Sequence, residues 1–429
     1  MAFTSIQRAM DIGSGDVEIR GWVFRERGSQ AMRFIVLRDS SNTIQCVVKK
    51  DAVPEAVWNT AQDARIEASI EVHGEIKPDT RAPTGFEVTV KDLKVVGPSH
   101  EFPITKDQSP EFLLDQRHLW LRSQKLTAVM KIRSTVFGAI DEYFRMNGYF
   151  EIQSPVFTPN ACEGGATLFE VKYFDDKVYL TQSWQLYAEA MISALERIYC
   201  IGPCFRSERS KTSRHLAEFW MTEMEAAWAD LREVSNHAEG LVCHVFKRVL
   251  ECNRKDLAIL QRDIKKLEAI KPPFKRMTYT EAIDQLKKQG HEVEWGKDLR
   301  TTEEDDLVKG CNTPIIVTNY PKEIMAFYKP ADPADPKTAL CFDMIAPDGY
   351  GEIVGGSQRE TDIDALIKGL KDQGEKVDNY QWYLDTRRYG NVPHAGFGMG
   401  VERVVAWICG LDNIKDAIPF PRTMLRKTP

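Results

Sequence analysis

The sequence predicts an α+β protein in which a small all-β module is followed by a larger part that mixes helices with strand hairpins. Three observations support this prediction. Short stretches of alternating polar and apolar residues fill the N-terminal part, a long amphipathic pattern follows a proline-rich connector, and two later pairs of strand-like runs flank turn sequences. A chain of 429 residues also exceeds what one hydrophobic core usually supports, so more than one domain is expected.

Composition and charge restrict the class of protein. The formal net charge of -6 argues against a chain that coats itself with nucleic acid, although it leaves room for local basic surfaces. The nine cysteines are odd in number and lack zinc-site spacing, so we expect reduced thiols in a reducing compartment. The first fifteen positions lack the apolar core of a signal peptide, and no apolar run is long enough to cross a bilayer. These features predict a cytoplasmic protein that does not enter a membrane.

Five runs with strand-like alternation occupy the N-terminal module, and clusters of Gly, Asp, Asn and Pro separate them. The predicted strands are Val17–Phe24, Met32–Leu37, Thr43–Val48, Ala68–Ile76 and Phe86–Val95. Five short strands at this spacing predict a small β-barrel of the OB type.

Basic and aromatic residues alternate on the first two predicted strands. The arginines are Arg20, Arg25, Arg27, Arg33 and Arg38, and the aromatic residues among them are Trp22, Phe24 and Phe34. This mixture suits single-stranded nucleic acid, because bases stack on rings while guanidinium groups meet phosphates. A barrel whose aromatic side chains fill its core and whose arginines solvate its rim would show the same residues, so the module alone leaves both interpretations open.

Prolines at positions 98, 103 and 110 mark a connector after the barrel, and we place a domain boundary there. The predicted division is a barrel domain over residues 1–97, a linker over 98–122 and a second domain over 123–429. Within the second domain, residues 253–308 are charged, helical in pattern and broken by Pro272 and Pro273, so they are predicted to be an insertion.

An amphipathic helix is predicted from Ser123 to Asn147, because its apolar residues fall on one stripe and Gly148 follows where a helix C-cap belongs. The run from Tyr149 to Pro155 is then predicted to be a strand ended by proline. A helix and a strand of this kind can pack in a core or form a subunit interface, and the pattern does not separate the two.

The stretch from Cys204 to Glu225 predicts a hairpin with a basic tip. The tip contains Arg209, Lys211, Arg214 and His215. Arg206 and Glu208 are two residues apart on the first predicted strand, so we expect them on one face, where a polar ligand would lie. The alternative is a solvent-facing hairpin in which Arg206 pairs with Glu218, and the hairpin alone does not decide between these.

A second hairpin is predicted around the turn sequence Pro347-Asp348-Gly349. If the turn is centred on Pro347 and Asp348, Asp343 and Glu352 lie directly opposite each other on one face. Like charges in that arrangement repel unless a cation lies between them, and two carboxylates favour a hard ion such as Mg²⁺. The alternative is that both acids simply extend into water.

Two glycine-rich loops are candidates for a site. Glu163-Gly164-Gly165 carries one acid and predicts a mobile cover, although glycine pairs are common. Gly396–Gly400 opens a predicted helix, and Arg403 lies in its first turn, which suits a phosphate group.

Taken in order, these features resemble the class II aminoacyl-tRNA synthetases of the aspartate, asparagine and lysine subgroup over essentially the whole chain. The first family motif corresponds to the helix and strand that end at Pro155. The second corresponds to Phe205–Glu208 with His215–Phe219, and the third to Gly398–Arg403. The barrel ahead of them matches the subgroup's anticodon-binding domain. The resemblance implies a catalytic domain with an antiparallel β-sheet flanked by helices, Mg²⁺ with ATP as substrate, a tRNA partner, and a homodimer formed through the first motif.

The resemblance also implies roles for individual residues. Arg206 and Arg403 would be catalytic. The residues implied for ATP are Arg206, Glu208, Arg214, His215, Phe219, Glu352 and Arg403. Those implied for the amino acid are Glu163, Gln185, Ala188, Glu189, Arg206, Glu223 and Arg359. Asp343 and Glu352 would bind Mg²⁺, which agrees with the cross-strand argument, and Arg25, Phe34 and Gln45 would contact the anticodon.

The choice of amino acid depends on the stretch from Gln182 to Glu189. In aspartate enzymes of the subgroup, a lysine in this stretch neutralises the substrate's side-chain carboxylate, whereas here its place is taken by Ala188. Glu189 could instead accept from an amide NH₂ while Arg359 donates to the amide oxygen, so the asparagine branch and the tRNA for asparagine are favoured. Gly355 stands where the aspartate branch has a serine near the metal, which leaves the number of ions open.

Three other functions would fit part of this pattern. An aspartate-charging or non-discriminating enzyme would need the missing lysine, and a ligase that makes free asparagine would have no use for the barrel. A catalytically inactive nucleic-acid-binding protein would be expected to lack Arg206, Glu208 or Arg403, and all three are present.

Overall fold

The computed structural model of the chain describes residues 3–162, 167–209 and 212–429. It divides the chain into two compact units, Met1–Pro110 and Glu111–Pro429. The predicted linker over 98–122 differs from this division, because residues 111–122 belong to the second unit and contain short helices.

The first unit is a closed five-stranded barrel with two small helices. In chain order its elements are α1 (Ile6–Ile12), β1 (Gly15–Gly28), β2 (Met32–Arg38), β3 (Thr43–Lys49), α2 (Glu55–Asp63), β4 (Ser69–Pro78) and β5 (Phe86–Gly97). The strand order is β1-β2-β3-β5-β4, and only β3 and β5 run parallel. The prediction of an OB-type barrel is confirmed, whereas both helices were absent from the prediction.

The alternation of the barrel strands separates a core face from an outer face. Ile19 and Val23 of β1 and Ile35 of β2 point into the core and are fully buried. A bulge between Val23 and Arg25 shifts the register, so that Arg25 lies opposite Val36 on the outer face. The bulge therefore moves the basic residues after it out of the core.

The second unit mixes helices with three groups of strands. Its α-helices are α3 (Pro110–Asp115), which begins at the boundary, α4 (Arg117–Trp120), α5 (Gln124–Met146), α6 (Gln185–Leu195), α7 (Leu231–Cys252), α8 (Arg254–Ile259), α9 (Ile264–Glu268), α10 (Tyr279–Lys288), α11 (Thr301–Leu307), α12 (Ile363–Asp372), α13 (Gln381–Arg388) and α14 (Val401–Cys409). Single 3-10 turns occur at Lys322–Ile324, Val377–Tyr380 and Ile414–Ala417.

The strands of the second unit form a large sheet and a small one. They are β6 (Phe150–Glu151), β7 (Phe157–Thr158), β8 (Glu170–Tyr173), β9 (Asp176–Leu180), β10 (Arg197–Phe205), β11 (Glu218–Ala227), β12 (Lys275–Thr278), β13 (Ile315–Thr318), β14 (Cys341–Ala346), β15 (Gly351–Gln358) and β16 (His394–Gly400). The eight-stranded sheet has the order β12-β13-β14-β15-β16-β11-β10-β6, and the three-stranded sheet has the order β7-β9-β8. Pairing in the large sheet is antiparallel except at its two edges. The α+β fold class is confirmed.

The main core lies between the large sheet and the helices α5, α7 and α14. The predicted amphipathic helix is α5, whose N-cap Ser123 accepts from the backbone N–H of Leu126. Its fully buried stripe consists of Leu126, Val129, Ile132, Val136, Ile140 and Phe144. Burial of such side chains contributes roughly 1.5–3 kcal/mol each, which is why this helix holds its position against the sheet.

Parts of the predicted insertion contribute to the core. Leu257 and Leu267 pack in the main core, and β12 is an edge strand of the large sheet. The expectation that residues 253–308 form an insertion outside the core is therefore not met. Their charged residues lie on the exposed faces of short helices, whose other faces are buried.

The buried guanidinium group of Arg117 binds the C-terminal part of the second unit. It donates to the backbone oxygens of Lys415, Ile418 and Pro419 at 2.8–2.9 Å and to Asp416 at 3.0 Å. An arginine that is only 1% exposed needs partners of this kind, because an unpaired buried charge is costly.

Among the described residues, no helix has both the length and the apolar character needed to span a bilayer. All nine cysteines lie in the described ranges, and none of them forms a disulfide.

Candidate active site

The predicted hairpin with a basic tip is formed by β10 and β11. The strands pair antiparallel, with Cys204 opposite Phe219 and Phe205 opposite Glu218. The prediction that Arg206 and Glu208 lie on the first strand is wrong, because β10 ends at Phe205. Beyond that residue, the N–H of Ser207 donates to the backbone oxygen of Thr167 at 2.8 Å, which draws the chain away from β11.

A first cavity opens beside this hairpin, between the hairpin, β15, β16 and the start of α14. Its polar and aromatic lining includes Arg206, Glu208, Arg214, His215, Phe219, Glu352 and Arg403. Every residue predicted to contact ATP therefore lies around one space. Its composition, which includes three arginines, an aromatic ring and two acids, suits a nucleoside triphosphate.

Several charged side chains of the first cavity contact one another or an aromatic ring. The guanidinium carbon of Arg206 lies 5.4 Å from the centre of the Phe219 ring. His215 Nε2 is 3.8 Å from a carboxylate oxygen of Glu208. Burial, and after it the nearby Arg403, lowers the pKa of His215. Arg403 also donates to the backbone oxygen of Glu352.

The segment that was predicted to be an insertion supplies one wall of the site. Asp305 on α11 pairs with Arg214 at 3.2 Å. Burial, together with the neighbouring Glu352, raises the pKa of Glu304 to about 7. No sequence pattern indicated this role, because α11 reaches the site by packing against α10 and β15, which are distant from each other in the sequence.

A second cavity adjoins the first, and Arg206 and Glu352 line both. Its polar lining includes Ser183, Gln185, Glu223, Glu225, Asp298, Glu304, Asp343 and Arg359. The shared Arg206 lies at the junction of the two cavities, where two ligands could meet.

Asp343 and Glu352 converge in the second cavity, although their pairing differs from the prediction. The turn spans the four residues 347–350 instead of two, which places Glu352 opposite Ile345, and a bulge between Met344 and Ile345 then places Asp343 opposite Gly355. The two acids are therefore not direct cross-strand partners. A Cβ built on Gly355 would nevertheless lie 2.8 Å from Glu352 Oε1 and 3.5 Å from Asp343 Oδ1. The carboxylates therefore face the same small space beside the glycine.

The donor set at this point suits a hard divalent cation. Burial, and after it the charge of Glu352, raises the pKa of Asp343 well above its usual value, and a cation beside the two carboxylates would offset both effects. No cluster of three His, Cys, Asp or Glu ligands occurs in the described ranges. Two carboxylates with substrate phosphates as further ligands are typical of Mg²⁺, so the residues present fit that ion.

The far wall of the second cavity presents charged groups that are already paired. Arg359 donates to Glu225 from Nη2 at 2.8 Å and from Nε at 3.0 Å, and to the Ser357 hydroxyl at 2.7 Å. Glu223 accepts from the Ser183 hydroxyl at 2.5 Å and from the N–H of Trp184 at 3.1 Å. Burial works against the charge of Arg359, but Glu225 outweighs burial and raises the pKa of the guanidinium.

Glu225 lines the second cavity but is not among the site residues predicted from the sequence. It lies two residues after Glu223 on β11, so both side chains point to the same face of the sheet. This spacing could have identified Glu225 as a second acid of the cavity.

The structure does not bring Ala188 and Glu189 to either cavity. Ala188 packs in a small apolar cluster with Trp184 and Ile192. Glu189 is fully buried behind the second cavity, where it accepts from Tyr383 at 2.7 Å and pairs with Arg387. The expectation that Glu189 touches the substrate is therefore corrected, because its carboxylate is fully buried and lines neither cavity.

Glu163, the remaining residue predicted to contact the amino acid, lies outside the described residues. The same applies to Lys211 of the basic tip.

In the barrel, Arg25, Phe34 and Gln45 share the outer face. Arg25 lies opposite Val36, which in turn lies opposite Gln45, and Phe34 is two residues from Val36 on the same strand. The guanidinium group of Arg27 lies 5.1 Å from the Phe34 ring. A half-exposed ring with arginines beside it offers a stacking surface for a base.

Comparisons with known proteins agree with this geometry. Residues 109–424 match the model of class II tRNA synthetases (D, K and N), and residues 17–96 match the OB-fold nucleic acid binding domain. Asparagine–tRNA ligases from Thermoplasma acidophilum and Thermococcus kodakarensis are 47% and 48% identical, with 96% of each chain covered. The structure of asparaginyl-tRNA synthetase from Pyrococcus horikoshii with asparaginyl-adenylate aligns over 100% of both chains, with a TM-score of 0.97 and 44% identity.

Proposed function

The chain belongs to the class II tRNA synthetases of the D, K and N group, and we propose that it is an asparagine–tRNA ligase. In the proposed reaction, ATP and L-asparagine form asparaginyl-adenylate and pyrophosphate. Asparagine is then transferred to the 3′ end of the tRNA for asparagine, which supplies protein synthesis.

The salt bridge between Arg359 and Glu225 in the wall of the second cavity is the observation that supports asparagine as the amino acid. An asparagine amide can donate its NH₂ to Glu225 and accept at its oxygen from Arg359, so both charged groups keep partners. An aspartate β-carboxylate would instead face Glu225, and the charge of Arg359 is already neutralised by Glu225, so the repulsion would not be offset by that guanidinium group. This arrangement supports asparagine as the substrate, with Glu225 in the role first expected of Glu189.

Activation follows from the adjacency of the two cavities. We infer that ATP occupies the first cavity, with its adenine between Phe219 and Glu208 and its outer phosphates near Arg214, His215 and Arg403. The asparagine carboxylate attacks the α-phosphorus in line, the bond to the β-phosphate oxygen breaks, and pyrophosphate leaves. Arg206, which lines both cavities, would hold the carboxylate and the α-phosphate and stabilise the negative charge that develops between them.

Asp343 and Glu352 would hold Mg²⁺ beside the phosphates. The ion would neutralise charge on the triphosphate and help to orient it. Glu223 and Gln185 supply acceptors for the substrate's α-ammonium group, and Glu163 would do so from the loop outside the described residues.

In the second step, a hydroxyl of the tRNA's 3′-terminal ribose attacks the carbonyl carbon of the adenylate, and AMP leaves. For tRNA recognition, we infer that the outer barrel face with Arg25, Phe34 and Gln45 binds the anticodon. The partly buried ring of Phe34 can stack on a base, while Gln45 can both donate to that base and accept from it.

We also propose that the protein is a homodimer formed through α5 and β6. The edge strand β6 pairs only with β10 among the described residues, and the large side chains of Met146, Phe150 and Phe157 around it are 49–69% exposed. A second copy that pairs with this edge would cover them. The nine reduced cysteines support a cytoplasmic location.

Amino-acid-dependent exchange of pyrophosphate with ATP tests the proposed function. Asparagine should support exchange, and aspartate should support it at least about a hundredfold less well, as expected when a buried charge lacks a partner. Faster exchange with aspartate would identify an aspartate-charging enzyme instead. Charging of a transcript with a GUU anticodon, compared with the same transcript carrying another anticodon, then tests tRNA recognition and the role of the barrel.

A further inference from the structure

Glu189 lies on α6 directly behind Gln185, one helical turn away. Gln185 lines the second cavity, whereas Glu189 is fully buried and does not. Gln185 Nε2 donates to Glu189 Oε1 at 2.8 Å. The buried acid is therefore in contact with a residue of the amino-acid pocket.

The other oxygen of Glu189 is surrounded by donors. Oε2 accepts from the Tyr383 hydroxyl at 2.7 Å, from His394 Nε2 at 3.1 Å and from Arg387. His394 Nδ1 lies 2.8 Å from the backbone oxygen of Val392, so both ring nitrogens of His394 face an oxygen that accepts hydrogen bonds. Burial alone would raise the pKa of Glu189, but Arg387 and His394 outweigh it and hold that pKa below its usual value.

This arrangement fixes the orientation of the Gln185 amide. An ionised carboxylate can only accept, so Gln185 must turn its NH₂ toward Glu189. Its carbonyl oxygen is then left for the cavity. Glu223, the other acceptor on this wall, is joined to Gln185 through Ser183, whose hydroxyl donates to Glu223 at 2.5 Å and accepts from the Gln185 N–H at 3.1 Å.

We propose that Glu189 is a positioning residue, which presents the carbonyl oxygen of Gln185 to the α-ammonium group of the amino acid. This inference rests on the proposed function, because it needs an amino acid in the second cavity. The three donors around Oε2 keep Glu189 ionised and oriented. Through its hydrogen bond with Gln185, Glu189 then fixes which way the Gln185 amide points.

Glu189→Gln tests the proposal, because the donors at Oε2 dictate how the new amide must lie. Its oxygen has to face Arg387, Tyr383 and His394, so its NH₂ faces Gln185. Gln185 must then flip and turn its own NH₂ toward the cavity, where it opposes the substrate's ammonium group. In pyrophosphate exchange we expect the KM for asparagine to rise by about tenfold or more, as for the loss of a hydrogen bond to a charged group, and the KM for ATP to stay within about twofold.

The matched control is Glu196→Gln, the same chemical change at an exposed residue that follows α6. It should leave both KM values unchanged. Because KM does not depend on the fraction of enzyme that is folded, a merely structural role of Glu189 would lower kcat and the melting temperature and leave the KM for asparagine unchanged.

The double variant Gln185→Glu with Glu189→Gln exchanges the two side chains, and it therefore distinguishes a positioning role of Glu189 from a merely structural one. The amide now at position 189 donates to one oxygen of the carboxylate now at position 185, and the other oxygen of that carboxylate again offers an acceptor to the cavity. The KM for asparagine should return to within about threefold of the wild-type value.

An unchanged KM in Glu189→Gln, or a double variant with a KM as high as that of the single variant, would overturn the proposal. If Glu189→Gln yields no folded enzyme, the double variant alone carries the test. Failure of the proposed function would be seen differently, as wild-type enzyme that shows no exchange with asparagine.

Discussion

Arg359 and Glu225 meet across an intervening strand, directly above Gly396. Glu225 lies on β11 and Arg359 follows β15, while Gly396 on β16 is the partner of both Glu225 and Ser357. A Cβ at Gly396 would lie 2.2 Å from Glu225 Oε2 and 2.8 Å from Arg359 Nη2. The pair that supports the choice of amino acid thus depends on a backbone position without a side chain.

Glu225→Gln is expected to relax the choice between asparagine and aspartate. A neutral residue no longer repels a β-carboxylate, and the charge of Arg359 becomes available to it. The ratio of kcat/KM for asparagine to that for aspartate, measured by pyrophosphate exchange, should fall by about tenfold or more. Glu218→Gln on the same strand lies outside both cavities and should leave the ratio as it is. If the ratio is the same in Glu225→Gln as in the wild type, Glu225 does not take part in substrate recognition.

Gly396→Ala is expected to damage both stability and asparagine activation. Its Cβ would lie 2.2 Å from the backbone oxygen of Met224 as well as from Glu225, so β16 or the ion pair has to shift. Such overpacking costs about 1–3 kcal/mol in the free energy of unfolding, measured with urea, and asparagine-dependent exchange should drop about a hundredfold. Gly202→Ala on β10, where a Cβ meets nothing within 4 Å, is the matched control. Equal behaviour of the two variants would contradict the steric argument.

Arg206→Ala is expected to abolish activation with little effect on folding. Loss of the contact with the Phe219 ring should lower the free energy of unfolding by about 1 kcal/mol, whereas loss of charge stabilisation should slow exchange at least about a hundredfold. Arg206→Lys keeps the charge without the planar fork and should be intermediate. If Arg206→Ala melts far below the wild type, the residue is mainly structural.

His215→Gln is expected to make stability less sensitive to acid. The pKa of His215 is lowered in the folded protein, so the unfolded chain binds the proton more readily. The stability that the neutral imidazole contributes is therefore present above the unfolded pKa, about 6.5, and is lost as the pH falls through it. Urea denaturation at about pH 7.5 and 5.5 should show a smaller loss in His215→Gln than in the wild type. Equal losses would show that His215 is not responsible.

Asp343→Asn is expected to raise the Mg²⁺ concentration that pyrophosphate exchange requires. With one carboxylate fewer at the ion, the Mg²⁺ concentration for half-maximal exchange should rise by about tenfold, and EDTA should abolish exchange in the wild type until Mg²⁺ is restored. Asp348→Asn is a suitable control, since this exposed acid in the neighbouring turn pairs with Lys266. An unchanged Mg²⁺ requirement in Asp343→Asn would place the ion elsewhere.

The sequence predicted which residues belong to the site better than it predicted their geometry. The basic hairpin and the acids Asp343 and Glu352 were identified because charged residues in strand-like runs need a polar partner. Their exact pairing was not predicted, because the turn spans the four residues 347–350 instead of two and a bulge follows between Met344 and Ile345, which leaves no local pattern in the sequence.

Glu189 shows a second limit of prediction from sequence. Its spacing from Gln185 predicts that the two side chains lie on neighbouring parts of one helix face, which they do. Which of them reaches the cavity depends on Arg387, Tyr383 and His394, and these residues are about two hundred positions away in the chain. Glu225, by contrast, could have been found from its alternation with Glu223.

The contacts of Arg117 have a consequence for biosynthesis of the chain. Its partners at Lys415, Ile418 and Pro419 follow it by about 300 residues, so they leave the ribosome long after it does. Until then the guanidinium group lacks these acceptors in the nascent second unit, whereas the barrel already holds all five of its strands. We therefore expect the barrel to fold early in translation and the catalytic unit to mature only once these residues have emerged, which makes a chain that stops before Lys415 unable to complete its core.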